Sequence, residues 1–329
     1  MIFRSLFAAG GYKVLGGFYL GWGIGANNAA NIFGTAVATN AVRYRLAVIL
    51  IAVFVIVGAL VEGPGLFLSG SARFSSQTDS TLALVAVLAA AITINIVTYL
   101  TLPTSTTQAA IGAYMGVAVA SAGVQAVEWA KLLRMMIGWL VSPIVGLLLC
   151  LLLLKVLGYL LSRLVSNNLT RVRIYKIGFL VFGCYGAYTL GANNVVVTTV
   201  AYYDAGMFGL AGSKSAAFWA AALGGVSMAL GALTYGGRVM TTIGKKITPL
   251  SAFSALVVVL VHSITLHLFT QINIPISSTH AVIGAIMGVG LAHGTKTINR
   301  KTIIMIVIGW VATPLVAASS AWGIASLLR

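Results

Sequence analysis

Two short runs of hydroxyl side chains, Ser105-Thr106-Thr107 and Ser277-Ser278-Thr279, stand 172 residues apart in the same setting. Each follows a proline, Pro103 or Pro275, and each leads into small apolar residues in which Gly112 and Gly116 match Gly284 and Gly288. Proline, then Ser or Thr, then an apolar run is the pattern of a helix start, where hydroxyls and unpaired backbone N–H groups point the same way. Such a start can hold an anion. A plain N-cap would account for a single copy; duplication points to two starts serving one ligand.

A second constellation is Gly25-Ala26-Asn27-Asn28, continuing to Asn31 and Thr35. On a helix Asn27, Asn31 and Thr35 form one polar stripe with Asn28 beside it. It returns as Gly191-Ala192-Asn193-Asn194, with Val197 where Asn31 stood. Two roles are open to these amides: contact with the anion, or helix-to-helix hydrogen bonding within lipid. Glu62 closes an apolar stretch in Gly58-Ala59-Leu60-Val61-Glu62-Gly63-Pro64. It is either a solvated loop carboxylate or, if buried, a group able to take up a proton. His280 replaces Gln108 of the first copy and is either a second anion or proton contact or a satisfied buried histidine. His262 and His267, five apart, share no helix face and read as packing.

The elements that must position these residues are membrane helices. Of the 329 residues 60% are hydrophobic and 7% charged, which excludes an ordinary solvated surface. Apolar stretches recur at 46–62, 81–102, 131–161, 215–235, 250–271 and 301–328. Two more, 12–40 and 174–203, are interrupted by Gly and Asn, and 103–122 and 275–293 are led by the hydroxyl runs. The expected fold is an all-α integral membrane protein of about ten to twelve transmembrane helices, the hydroxyl-led helices being broken or re-entrant.

Further matches extend the repeat: Gly58-Ala59-Leu60 with Gly231-Ala232-Leu233, and Ile137-Gly138-Trp139 with Ile308-Gly309-Trp310, each of the latter followed by a proline, Pro143 or Pro314. All keep their order, so the chain is a duplication, 1–165 and 166–329, within one membrane domain. Five pieces per half require the second half to enter from the opposite side, giving inverted-topology repeats whose hydroxyl runs approach one midplane point. Placing both termini outside puts twelve of the 20 Lys and Arg in inner loops and seven outside. With only four acidic residues the field is strongly positive, which suits an anion and not a cation pathway; no nucleic acid partner is expected. No zinc, serine-hydrolase or phosphate-loop motif occurs, so an enzyme is not expected.

With its duplicated Gly-Ala-Asn signature and its two Pro-led hydroxyl runs, the second ending in His280, the whole chain resembles the inorganic phosphate transporter (PiT) family. The resemblance implies a secondary transporter of inorganic phosphate. It implies an anion site from Ser105, Thr106, Thr107, Ser277, Ser278, Thr279, Asn27 and Asn193, and a homodimer in the cell membrane. Family members carry Asp where this chain has Asn28 and Asn194. A hard cation favours carboxylate ligands, so proton coupling or none is expected in place of sodium, with Asn28, Asn31, Asn194, Glu62 and His280 as the coupling candidates. No cofactor or metal is expected. Asn both donates and accepts, so sulfate or another tetrahedral oxyanion, carried by symport or in a channel-like manner, is the second reading.

Overall fold

The computed structural model describes residues 11–70, 79–100, 104–246, 250–294 and 300–328, so Pro103 lies outside the described residues. They form eleven α-helices and two short 3-10 turns. In chain order the helices are α1 (Val14–Ala38), α2 (Tyr44–Val61), α3 (Gly63–Ser69), α4 (Ser80–Tyr99), α5 (Thr106–Ala122) and α6 (Trp129–Leu164). There follow α7 (Asn168–Asp204), α8 (Lys214–Lys246), α9 (Ala252–Gln271), α10 (Ser278–Ala292) and α11 (Arg300–Leu327). Helices are what an apolar chain of this kind must form, because lipid offers backbone N–H and C=O groups no partner.

Seven segments among the described residues are long and apolar enough to cross a membrane. The hydroxyl-led helices are shorter. At about 1.5 Å per residue, α10 spans roughly 22 Å and α5 roughly 26 Å, less than a hydrocarbon core of about 30 Å. The long stretches 131–161 and 301–328 are not broken: α6 and α11 run continuously through Pro143 and Pro314. Both are peripheral. Only 11% of the most apolar window of α6 and 17% of that of α11 is buried, against 67% for α7 and α9.

The halves pack crosswise. Helix α1 lies against α8 and α2 against α7; α5 lies against α11 and α10 against α6. Since α1 matches α7, α2 matches α8, α5 matches α10 and α6 matches α11 in the repeat, each contact has a mirror contact. The repeated glycines are where these helices touch. A Cβ at Gly25 would strike the Met228 carbonyl, and one at Gly191 the Val55 carbonyl. One at Gly58 would strike Tyr188 and one at Gly231 Trp22; one at Gly112 would meet Pro314 and one at Gly284 Pro143. The repeat therefore preserves the glycines and prolines of a backbone-to-backbone seam, which lets helix axes approach closely in lipid.

Candidate functional site

Ser105 and Ser277 are the N-caps of α5 and α10, as their spacing predicts. The Ser105 hydroxyl oxygen accepts from Gln108 N at 3.2 Å, and that of Ser277 from His280 N at 3.3 Å. The third hydroxyl of each run serves a different purpose. Thr107 donates to the Ile276 carbonyl at 3.2 Å and Thr279 donates to the Thr104 carbonyl at 3.0 Å. Each run is thereby fastened to the backbone that opens the other, and the two helix starts sit side by side. All six residues are no more than 3% exposed.

This crossing narrows the expected set of anion donors. Thr107 and Thr279 spend their hydrogens on carbonyls, whereas the contacts found for Ser105, Thr106 and Ser277 use their oxygens as acceptors; Ser278 accepts from Asn31 and also lies 2.8 Å from His262 Nε2, a contact whose direction the imidazole tautomer sets. The hydroxyl hydrogens of Ser105, Thr106 and Ser277, with the first N–H groups of the two helices, have no acceptor in these contacts.

The asparagines divide by position. Asn27 donates to Thr98 on α4 and Asn193 to Thr270 on α9, both at 2.8 Å, so these two frame the site symmetrically. Asn193 also accepts from Ile276 N at 3.1 Å, holding the extended segment before the second run. Asn28 donates to Thr106 at 3.1 Å, and Asn194 Oδ1, 3.1 Å from Thr107 Oγ1, shares that hydroxyl's one hydrogen with the Ile276 carbonyl. Asn31 reaches farthest: its amide nitrogen lies 3.1 Å from Asn28 Oδ1, 3.0 Å from Ser278 Oγ and 3.3 Å from Thr279 Oγ1. Its own Oδ1 is buried without a partner among the described residues. The polar stripe of α1 is thus shared between framing (Asn27) and contact with both hydroxyl runs (Asn28 and Asn31).

His280 turns away from the hydroxyls. Its Nδ1 lies 2.9 Å from the Trp139 carbonyl of α6, and its ring packs 3.8 Å from that of Trp310 on α11. Glu62, between α2 and α3, is neither free in a loop nor beside the hydroxyl runs. It accepts from Tyr188 at 2.6 Å and Gln271 at 3.1 Å and lies 3.2 Å from His267 Nε2, while Tyr185 contacts His267 Nδ1 at 2.7 Å. This is a partly exposed cluster on α7 and α9.

Reading His262 and His267 as packing is corrected by these contacts. His267 belongs to the Glu62 cluster, and His262, fully buried, lies 2.8 Å through Nε2 from Ser278 Oγ. Spacing along one helix could not find His262, because its partner comes from another element. A signal existed in the repeat: at the 172-residue offset His262 replaces Ala90 in an otherwise apolar register. The Thr98 and Thr270 pair, also 172 apart, was a further unread signal.

Two overlapping segments, 24–176 and 164–321, match the model of the phosphate transporter family. The chain is 31% identical to a protein of Pyrococcus furiosus designated a phosphate permease, over 91% of each. It is 24% identical to the chloroplastic inorganic phosphate transporter 2-1 of Arabidopsis thaliana, over 94% of this chain and 70% of that one. Its fold resembles that of a solved sodium-dependent phosphate transporter, with a TM-score of 0.83, 23% identity and coverage of 96% of this chain and 98% of the other.

Proposed function

Because the chain belongs to the phosphate transporter family, we propose that it moves inorganic phosphate across a membrane by alternating access, holding the anion between its two hydroxyl-led helix starts. The observation that carries this reading is the crossed pair of bonds from Thr107 to Ile276 and from Thr279 to Thr104, which joins the two starts at one buried point. Hydroxyls of Ser105, Thr106, Ser277 and Ser278 and the N–H groups of Thr106, Thr107, Ser278 and Thr279 are the anion ligands. Hydrogen bonds to a charged group contribute about 1.5–3 kcal/mol each, so such a set replaces much of the hydration of phosphate. Being neutral, it also releases it. Asn27 and Asn193 are framing residues in this reading.

The crosswise packing of matched helices supports two inverted repeats, 1–165 and 166–329; the excess of Lys and Arg in the inner loops is what argues for both termini outside. The shortness of α5 and α10 supports re-entrant helices that stop within the membrane. The exposed apolar faces of α6 and α11 suit lipid and the partner of a homodimer. Asn28 and Asn194 lie in a neutral network where the resemblance leads one to expect carboxylates, which argues for coupling to protons or to nothing and against sodium. The same neutral amides exclude neither phosphate nor sulfate, so sulfate stays as the second reading.

Radiolabelled phosphate uptake into proteoliposomes tests this. Ser105→Ala and Ser277→Ala should each abolish uptake, and wild-type uptake in both would remove the site. Competition by sulfate, arsenate and molybdate, with and without sodium, separates the substrate readings. Accumulation driven by a pH gradient excludes a passive channel, and purely electrodiffusive flux excludes a symporter.

A further inference from the structure

Ser278 differs from its counterpart in the first run. Its oxygen is approached by two side chains, Asn31 Nδ2 at 3.0 Å and His262 Nε2 at 2.8 Å. Thr106, the matching residue, is approached by Asn28 Nδ2 at 3.1 Å, and buried Ala90 stands where the repeat would put a second His262. We propose that His262 is a positioning residue, which fixes the hydroxyl hydrogen of Ser278 on the transported anion; this rests on the phosphate-carrier reading above.

The argument concerns where hydrogens go. A serine hydroxyl has one donor and two acceptor positions. Were Nε2 bare, Ser278 would spend its hydrogen on the imidazole and offer the anion only lone pairs. The other ring nitrogen decides the matter. His262 Nδ1 is buried without a partner among the described residues, on a ring that lies against Gly186 of α7. A buried acceptor left bare is tolerated better than a buried N–H left unpaired, so the proton sits on Nε2 and is donated to Ser278. Asn31 cannot fill this role alone, because its two amide hydrogens face three acceptors: Asn28 Oδ1, Ser278 Oγ and Thr279 Oγ1. With His262 and Asn31 both donating, the two acceptor positions of Ser278 are taken and its hydrogen is left for a third atom. That atom is an anion oxygen at the start of α10. The role falls to one half only, since neither Asn31 nor His262 has a counterpart at Val197 or Ala90.

The experiment compares phosphate KM and Vmax in proteoliposomes of the full chain for wild type, His262→Ala, His262→Gln, Ser278→Ala and the double variant His262→Ala/Ser278→Ala. His262→Ala should raise KM about tenfold, the loss of one hydrogen bond to a charged ligand, with Vmax within about twofold. Glutamine keeps a neutral N–H donor at a similar reach and should restore most of the affinity. The double variant should match Ser278→Ala alone, because His262 acts through that hydroxyl. Nitrogen NMR of histidine-labelled protein should report the Nε2-protonated form of His262. An unchanged KM in His262→Ala, multiplied losses in the double variant, equal loss in the glutamine variant, or an Nδ1-protonated ring would each overturn the proposal. If the alanine variant does not fold, the glutamine variant and the NMR signature still decide. Wild-type uptake in Ser105→Ala and Ser277→Ala would instead overturn the site itself; loss there with silent His262 variants overturns only this inference.

Discussion

The two hydroxyl runs share a frame and differ in what surrounds it. In both, the first serine caps its helix, the third hydroxyl crosses to the opposite carbonyl, and an asparagine of α1 or α7 reaches a threonine on α4 or α9, the helix just before the run. Around the second run, however, stand Asn31 and His262, whose equivalents are Val197 and Ala90. The same contrast appears nearer the surface. Glu62, Tyr188, His267 and Gln271 form a polar cluster, while the matching positions Tyr235, Trp22, Asn95 and Tyr99 include the aromatic contact of Trp22 with Tyr235. Backbone geometry is what the duplication has kept, because both halves must satisfy the same seam. Side chains around that frame have diverged, which fits the proposed single ligand between the two runs, served by them from one side only.

The equivalence of the frame can be broken most severely at the seam. Gly25→Val and Gly191→Val should each prevent assembly of the folded protein, since a carbonyl occupies the space of the new side chain and the cost exceeds about 3 kcal/mol. Monodisperse protein from either one, measured by size-exclusion chromatography in detergent, would show that the halves do not share this constraint. A smaller, matched effect is expected for Thr107→Val and Thr279→Val. Each leaves a buried carbonyl unpaired at about 1–3 kcal/mol, so both should lower the melting temperature by similar amounts. A loss confined to one would mean that a single run carries the junction. The smallest effect belongs to Glu62→Gln, because polar contacts of a partly exposed carboxylate are worth no more than about 1 kcal/mol. Phosphate uptake should keep its KM, and loss of pH-driven accumulation in this variant would single out Glu62 among the coupling candidates.

Much of this arrangement was legible in the sequence because it is written twice. The offset near 172 residues exposed the helix starts at Ser105 and Ser277 and the glycines of the seam, and apolar length exposed the helices. What each glycine touches was not legible, since Gly25 meets Met228 only after helices distant in sequence have packed. The crossed roles of Thr107 and Thr279 were hidden for the same reason: a hydroxyl reads alike whether it faces a ligand or a carbonyl. His262 was misread because helix-face periodicity describes neighbours along one element, and its partner Ser278 lies on the next. Departures from the repeat, such as His262 for Ala90 and Asn31 for Val197, mark the asymmetric chemistry better than any spacing does.

The crossed bonds also bear on how the protein is made. The Thr104 carbonyl finds its donor, Thr279, and Gly191 finds Val55 only across the boundary between halves. A ribosome adding about 5–20 residues per second needs roughly ten to thirty seconds to travel from one run to the other. Throughout that interval the newborn first half holds an unfinished polar joint in the bilayer. Its completion is therefore a late event of biosynthesis, and a chain truncated before α10 would leave the earlier half inserted but unsealed.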